Sequence, residues 1–239
     1  MRVRLSDLSW PEVPVAPTVL IPVGSLEQHG PHLPLDTDAA IAAAVADRVA
    51  AALDPDVTPV LVAPVIAYGA SGEHQDFPGT ISVGHDALRL LLVEMIRSLS
   101  HFAARIVLVN GHGGNVPTLR NAVVQMRLEG HDVAWVPCAH ESTLDAHAGC
   151  DETSVMLHLD PARVDMDSVE PGRREPLTEL LPELMAHGVR TLSPNGVLGD
   201  PTTATAERGG ALLESMVDQV VGCLRSGSVD TAGSLVAPD

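Results

Sequence analysis

Four short apolar runs punctuate the chain, at residues 19–23, 59–65, 105–110 and 132–137. Each is rich in Val, Ile and Leu and is bounded by turn-forming residues, so each predicts a buried strand. Between them the period of the apolar positions changes. Residues 37–53 are dominated by Ala and Val and read as a helix, with Thr37 at its N-cap and Asp54-Pro55 as its stop. Over residues 85–102, Leu88, Leu91, Leu92, Met95, Ile96 and Leu99 recur at helical spacing and form one buried stripe. A third helix runs from Pro117, a residue suited to a first helical turn, to about Gly130. A short helix over 155–159 closes at Asp160-Pro161, and a long one over 204–226 is capped by Thr202 or Thr203. Gly209-Gly210 weakens that last helix unless a neighbour packs too closely for a side chain. Strands alternating with helices argue an α/β fold, a three-layer α/β/α sandwich with a mostly parallel central sheet. Residues 1–17 form a lead-in that covers an edge or a neighbouring subunit. The polar run 165–200 has little period and wraps the surface or covers a site. Residues 228–239 read as a flexible tail. No repeat or second domain is evident, so 1–239 is expected to be one domain.

Composition narrows the function more than the fold. The chain has 239 residues, 45% of them hydrophobic, enough for a sizeable core. Its formal net charge of -17 argues against nucleic acid and against an anionic membrane surface as partners. Aromatic content of 2% leaves few platforms for stacking bases or sugars. No apolar run approaches the roughly 20 residues of a membrane span, and no basic-then-apolar leader opens the chain. Cys138, Cys150 and Cys223 are an odd count without framework spacing, which suits a reduced, cytoplasmic protein.

The candidate chemistry gathers after the predicted strands. Beyond residue 23 come Glu27 and His29, two apart and on one side of an extended chain, then Asp38 at the start of a helix. Carboxylate and imidazole groups in that pattern suit a borderline divalent metal. The loop at 68–80 carries Glu73 and His74, candidates for lining a site. After the clearest strand comes a glycine loop, Gly111-His-Gly-Gly-Asn115, beyond the carboxyl end of a buried strand, where open α/β sheets place their sites. His112 is a further candidate ligand there, and Gly113 and Gly114 let backbone N–H groups approach a ligand. The run 138–149 adds His140, Glu141, Asp145 and His147. Glu152 near a helix start is either a capping carboxylate or a ligand, and Cys150 is either a ligand or a small filler.

Together these motifs resemble the creatininase (creatinine amidohydrolase) family. The resemblance rests on Gly24-Ser-Leu-Glu-Gln-His-Gly-Pro-His-Leu-Pro-Leu-Asp-Thr-Asp38, Glu73-His-Gln-Asp-Phe-Pro-Gly-Thr80, Asn110-Gly-His-Gly-Gly-Asn115 and His147-Ala-Gly-Cys-Asp-Glu-Thr-Ser154, in that order. The stretch Ala67-Tyr-Gly-Ala-Ser-Gly-Glu-His74 and the late Gly196-Val-Leu-Gly-Asp-Pro-Thr-Thr-Ala-Thr205 look like its mycofactocin-associated branch. What the resemblance implies is a homo-oligomeric metallohydrolase with two divalent ions per chain, zinc, iron(II) or manganese. By position, Glu27, His29, Asp38 and His112 match the family's ligands, with Asp38 as the bridge, and His147 matches its proton-handling residue. The family pattern has a further carboxylate ligand two positions after His112, where this chain has Gly114. Glu152 is the candidate replacement.

The reaction implied is hydrolysis of an amide bond by metal-activated water. His147 would pass a proton to the leaving amine, and the Gly113 and Gly114 N–H groups would steady the oxyanion. In the mycofactocin-associated branch the substrate is a modified precursor peptide. Two other readings compete: an amidase acting on a small cyclic or formylated amide, and a non-catalytic metal-binding protein. Family members acting on creatinine use tryptophans around it, whereas this chain has only Trp10 and Trp135, neither in the matching loop.

Overall fold

A computed structural model describes residues 3–54, 57, 59–138 and 145–237. The four apolar runs form strands β1 (Thr18–Val23), β2 (Val60–Val62), β3 (Arg105–Asn110) and β4 (Val133–Pro137). They make one sheet in the order β2-β1-β3-β4, every pair parallel. The helices among the described residues are α1 (Thr37–Ala52), α2 (Gly84–Leu99), α3 (Val116–Leu128), α4 (Cys150–Leu159), α5 (Leu177–His187), α6 (Val189–Leu192) and α7 (Ala206–Ser226).

The period-2 geometry of a strand explains why these runs are apolar throughout. Val19, Ile21 and Leu108 point to one side, where they pack with Leu88, Leu92 and Ile96 of α2 and with Leu119, Val123 and Met126 of α3. Leu20, Val107 and Val109 point to the other, against Val45 and Val49 of α1, Val155 and Met156 of α4, and Leu213 and Val220 of α7. Both faces are covered, so no polar alternation survives in the sequence. Each fully buried Val, Leu or Ile contributes about 1.5–3 kcal/mol.

Both edges of the sheet are closed by the chain's own ends. Val62 N–H donates to the Val3 carbonyl at 2.8 Å, so the lead-in covers the β2 edge. At the other edge, Leu235 N–H donates to Trp135 O at 2.8 Å, Trp135 N–H to Gly233 O at 3.0 Å, and the Trp135 indole to Ala232 O at 3.0 Å. The expected flexible tail is therefore corrected over residues 228–237. That segment docks on β4 and buries Leu235, covering an edge that would otherwise be exposed for pairing.

Three further expectations shift. α4 starts at Cys150, not near residue 155, which brings Glu152 into its first turn. α7 is capped by Thr205, whose side chain accepts the Arg208 N–H, whereas Thr202 and Thr203 lie in a separate short turn capped by Asp200. The run 165–200 is not only a surface wrap. It forms α5 and α6 and buries Leu180, Val189, Leu192, Val197 and Leu198. Gly209 has the expected packing reason, because a methyl group there would overlap the Ser154 carbonyl of α4.

Candidate metal centre

From β1 the chain runs to β2 on one side, and the next connection crosses back to β3, the neighbour of β1 on the other side. The crevice beyond the carboxyl ends of β1 and β3 is thus the topological switch point of the sheet. Two glycines bring α1 into it. A methyl group on Gly111 would lie 2.5 Å from the Asp38 carbonyl, and one on Gly24 would strike the Ala39 backbone. Their absent side chains let the first turn of α1 sit against the strand ends, with Asp38 turned inward and 2% exposed.

Here the structure brings together residues drawn from distant parts of the chain. Ligand atoms of Glu27, Asp38 and His112 lie within 4.8 Å of one another, as do those of His29, Asp38 and Glu152, and those of Glu27, His29 and His147. Asp38 belongs to two of these groups. Its Oδ1 lies 3.1 Å from His29 Nε2, and its Oδ2 lies 3.2 Å from His112 Nδ1. Glu27 Oε1 lies 3.2 Å from His112 Nδ1, 3.3 Å from His74 Nε2 and 3.8 Å from His147 Nδ1. The His29 Nε2–Asp38 Oδ1 contact is a hydrogen bond, and the others are close electrostatic contacts. Both Glu27 oxygens and Asp38 Oδ2 are buried with no hydrogen-bond partner.

Three of the imidazoles are oriented by main-chain carbonyls. Glu27 O lies 3.1 Å from His29 Nδ1, Ala70 O lies 3.2 Å from His112 Nε2, and Gln28 O lies 2.8 Å from His147 Nε2. A carbonyl only accepts, so each of those nitrogens carries the proton. The opposite nitrogen, Nε2 of His29 and Nδ1 of His112 and His147, faces the carboxylates and can bind a metal once any proton on it is released. This is the outer support expected of metal-binding histidines.

The charges reinforce one another. Burial, the largest effect, lowers the affinity of the His29 ring for a proton, but Asp38, Glu152 and Glu27 together outweigh it and raise its pKa to about 10. His112 is likewise raised against burial, by Glu27 and Asp38. Burial and the Asp38 charge oppose ionisation of Glu27, yet His112 and His74 hold it below the usual carboxylate range. Asp38 is held lower still, mainly by His29 and His112 against its burial. Burial, with neighbouring rings second, lowers His147, and lowers His74 to about 3.

Glu152 joins the two sequence readings of it. Its Oε2 accepts the Ala148 N–H at 2.6 Å, as a carboxylate at a helix start does, and the same residue stands beside His29 and Asp38. Asp145 fixes that helix end by accepting the Cys150 N–H at 3.0 Å and the Asp151 N–H at 2.5 Å. Burial, with Asp151 and Glu152 nearby, raises its pKa to about 6. Cys150 instead faces Thr203 Oγ1 at 3.5 Å and Ser154 Oγ at 3.9 Å, and belongs to none of the three groups.

Glu73 and His74 are placed differently from each other. Glu73 is partly exposed, its Oε1 3.6 Å from His112 Nε2. His74 is 4% exposed, inside the cluster instead of on a loop surface. Gly113 and Gly114 lie in the short turn leading into α3, with Gly113 exposed. His140 and Glu141 lie outside the described residues.

Sequence reasoning passed over three supporting residues. Gln28 lies between Glu27 and His29 and bonds to both sides of the site. Asn115 accepts the Ala70 N–H at 2.9 Å and donates to Gly24 O at 3.0 Å, tying three loops together. His32 reaches Thr153 Oγ1 at 2.9 Å and links the ligand loop to α4. Each is uncharged or not a ligand, so spacing rules for metal sites do not single it out.

The donor set fits divalent metal. Buried carboxylate oxygens with no hydrogen-bond partner among the described residues are costly unless a cation satisfies them, and imidazole nitrogens stand beside them to complete its coordination. Comparison with known proteins points the same way. The family model for creatininase, creatinine amidohydrolase, matches residues 6–224. The chain is 56% identical over 209 residues to the mycofactocin precursor peptide peptidase of Mycobacterium ulcerans (strain Agy99), covering 86% of this chain and 83% of that protein. Among solved structures, a mutant creatininase described as Zn-Zn type superposes with a TM-score of 0.72 at 27% identity, covering 95% of this chain and 98% of that one. A structure described as creatininase Mn gives the same TM-score of 0.72, identity of 27% and coverage of 95% and 98%.

Proposed function

This chain belongs to the creatininase family, and we propose that it is the metal-dependent peptidase that hydrolyses the modified mycofactocin precursor peptide. The product is its C-terminal Val-Tyr-derived crosslinked dipeptide. The observation that carries the catalytic part is Asp38, whose two oxygens face His29 and His112 in a buried centre. The substrate part rests on 56% identity to a peptidase of that name, against 32% to the creatinine amidohydrolase of Pseudomonas putida.

Glu27, Asp38 and His112 would hold one divalent ion, and His29, Asp38 and Glu152 a second, with zinc, iron(II) or manganese all compatible with these ligands. When bound, the ions supply hydroxide from water near neutral pH and polarise the scissile carbonyl. His147 keeps its Nε2 proton on the Gln28 carbonyl and offers Nδ1 towards the centre. From there it takes a proton and delivers it to the leaving amine. The Gly113 and Gly114 N–H groups, at the turn into α3, steady the developing oxyanion. Burial of the cluster excludes bulk water and strengthens each of these interactions.

No described helix is long and apolar enough to cross a membrane. Three free cysteines suit a reducing compartment. We place the protein in the cytoplasm, as one domain and as a homo-oligomer, with Trp10 (86% exposed) and Met185 (79%) among the apolar side chains left for subunit contacts.

The test is mass spectrometry of protein with verified metal content, incubated separately with modified peptide, unmodified peptide and creatinine. Release of the dipeptide-derived fragment from the modified peptide alone is expected. Turnover of creatinine with the peptide untouched would overturn the substrate assignment and leave the hydrolase.

A further inference from the structure

Gln28 is 5% exposed, and its carboxamide is fully committed. Oε1 accepts the Gly30 N–H at 2.9 Å. Nε2 lies 3.0 Å from the Gly196 carbonyl, 2.9 Å from His74 Nδ1 and 3.0 Å from His147 Nε2. The Gly30 N–H can only donate and the Gly196 carbonyl can only accept, so one amide orientation satisfies both. That leaves two N–H bonds for three neighbours. His147 Nε2 already carries its own proton, donated to the Gln28 backbone carbonyl at 2.8 Å, and cannot accept another. The two amide hydrogens therefore go to Gly196 O and His74 Nδ1. A cationic His74 would set donor against donor at Nδ1, so the ring is neutral and its proton sits on Nε2, 3.3 Å from Glu27 Oε1.

We infer that Gln28 is a positioning residue that fixes the His74 ring in one tautomer, Nδ1 accepting from the Gln28 amide and the Nε2–H on the side of Glu27, whereas His29, His112 and His147 turn a protonated nitrogen to a main-chain carbonyl and the other nitrogen to the carboxylates. In that tautomer His74 is not a ligand. Its Nε2–H stands beside Glu27 without an aligned hydrogen bond, and ligation is left to the other groups. The same network gives the late glycine motif its purpose. Gly196 has φ +82, and a methyl group there would overlap Gln28 Oε1, so the loop can reach Gln28 only as glycine. Residues 28, 74, 147 and 196 thus form one device that reads across the whole chain.

The hydrogen-bond assignment stands on geometry alone, whereas its effect on turnover rests on the peptidase reading above. The test is nitrogen NMR of the histidine rings in zinc-loaded, 15N-histidine-labelled protein, with the His74 signal identified by its loss in His74→Gln. A proton on Nε2 and a bare Nδ1 are expected. A His74 protonated at Nδ1, or at both nitrogens, overturns the inference without needing any folded variant of Gln28. In Gln28→Leu and Gly196→Ala the single tautomer should be lost and kcat should fall by about tenfold or more, with KM little changed. A folded Gln28→Leu protein that keeps the wild-type His74 signal also overturns it. Failure of the wild-type protein to cleave the peptide would overturn the peptidase reading and leave the spectrum where it is.

Discussion

Gly114 and Glu73 occupy one space: a methyl group on Gly114 would lie 2.5 Å from Glu73 Oε1. The same methyl would crowd His112 Nε2 and lie 2.6 Å from the Ala70 carbonyl that orients it. The resemblance to the family's motif leads one to expect a carboxylate on the residue at this position. In this chain a carboxylate reaches the region from another loop, and the glycine makes room for it. Gly114→Ala should therefore displace Glu73 and turn His112, weakening metal affinity by about 10–100-fold, the range for lost outer support. Glu73→Gln should have a smaller effect in the same direction. Metal titration of the two variants checks this, and unchanged affinity in Gly114→Ala would separate Gly114 from the centre.

Glu152 carries two loads that substitutions can separate. Glu152→Gln can still accept the Ala148 N–H, so the start of α4 should hold while the ion at His29 and Asp38 binds more weakly. Glu152→Ala should lose the cap as well, at about 1 kcal/mol of stability. Thermal unfolding of metal-free protein reads the cap, and metal content reads the ligand. Equal metal content in wild type and Glu152→Gln would leave Glu152 a helix cap only.

Metal and protons compete for the same atoms. In the metal-free protein His29 holds its proton up to about 10 and His112 holds one well above the ordinary value. Binding must expel them, so apparent affinity should rise by about tenfold per pH unit for each proton released. Calorimetry in buffers of different ionisation enthalpy counts those protons. Stability of the metal-free protein follows the opposite course on the alkaline side. The raised His29 pKa contributes stability that is fully present below about 6.5 and is lost as pH rises through about 10. Asp38, held low, contributes stability above the usual carboxylate range that is lost on acidification. A metal-free protein that grows more stable from pH 7 to 10 would contradict this charge assignment.

His147→Ala should retain both ions and lose about 10²–10⁴ in kcat, the usual worth of a positioned proton carrier. Its Nδ1 lies 3.8 Å from Glu27, and its ring stacks 4.3 Å from His29, so some loosening of the centre is also expected. Full turnover in the variant would remove His147 from the proton pathway.

The parts of the fold legible in sequence are those fixed by hydrophobic burial on both faces. Val19, Ile21 and Leu108 on one side and Leu20 and Val107 on the other leave no ambiguity about the central strands. The candidate ligands stood out because Glu27, His29, Asp38 and His112 follow strand ends or open helices, and the structure brings them together. What stayed hidden depends on partners remote in the chain. The first turn of α4 is polar and looks like loop until Asp145 is seen accepting its N–H groups. The segment after Ser228 is short and weakly apolar, and its own turn and the open edge at Trp135 together order it. Gln28 has neither charge nor ligand chemistry, and its role exists only through Gly196 and His74.

The parallel sheet has a consequence for timing. Parallel neighbours cannot form a local hairpin, and each pairing waits for a crossover to be made. Glu27 waits for His112 across β1 and β3, then for His147 and Glu152, and Gln28 waits for Gly196. A chain emerging from the ribosome would therefore carry its first ligands long before it could close on an ion. Metal would arrive at a scaffold already built, as a final rivet and not as a folding nucleus. Refolding followed through Trp135, buried in β4, should proceed at the same rate with and without zinc, and a marked acceleration by zinc would show the order to be reversed.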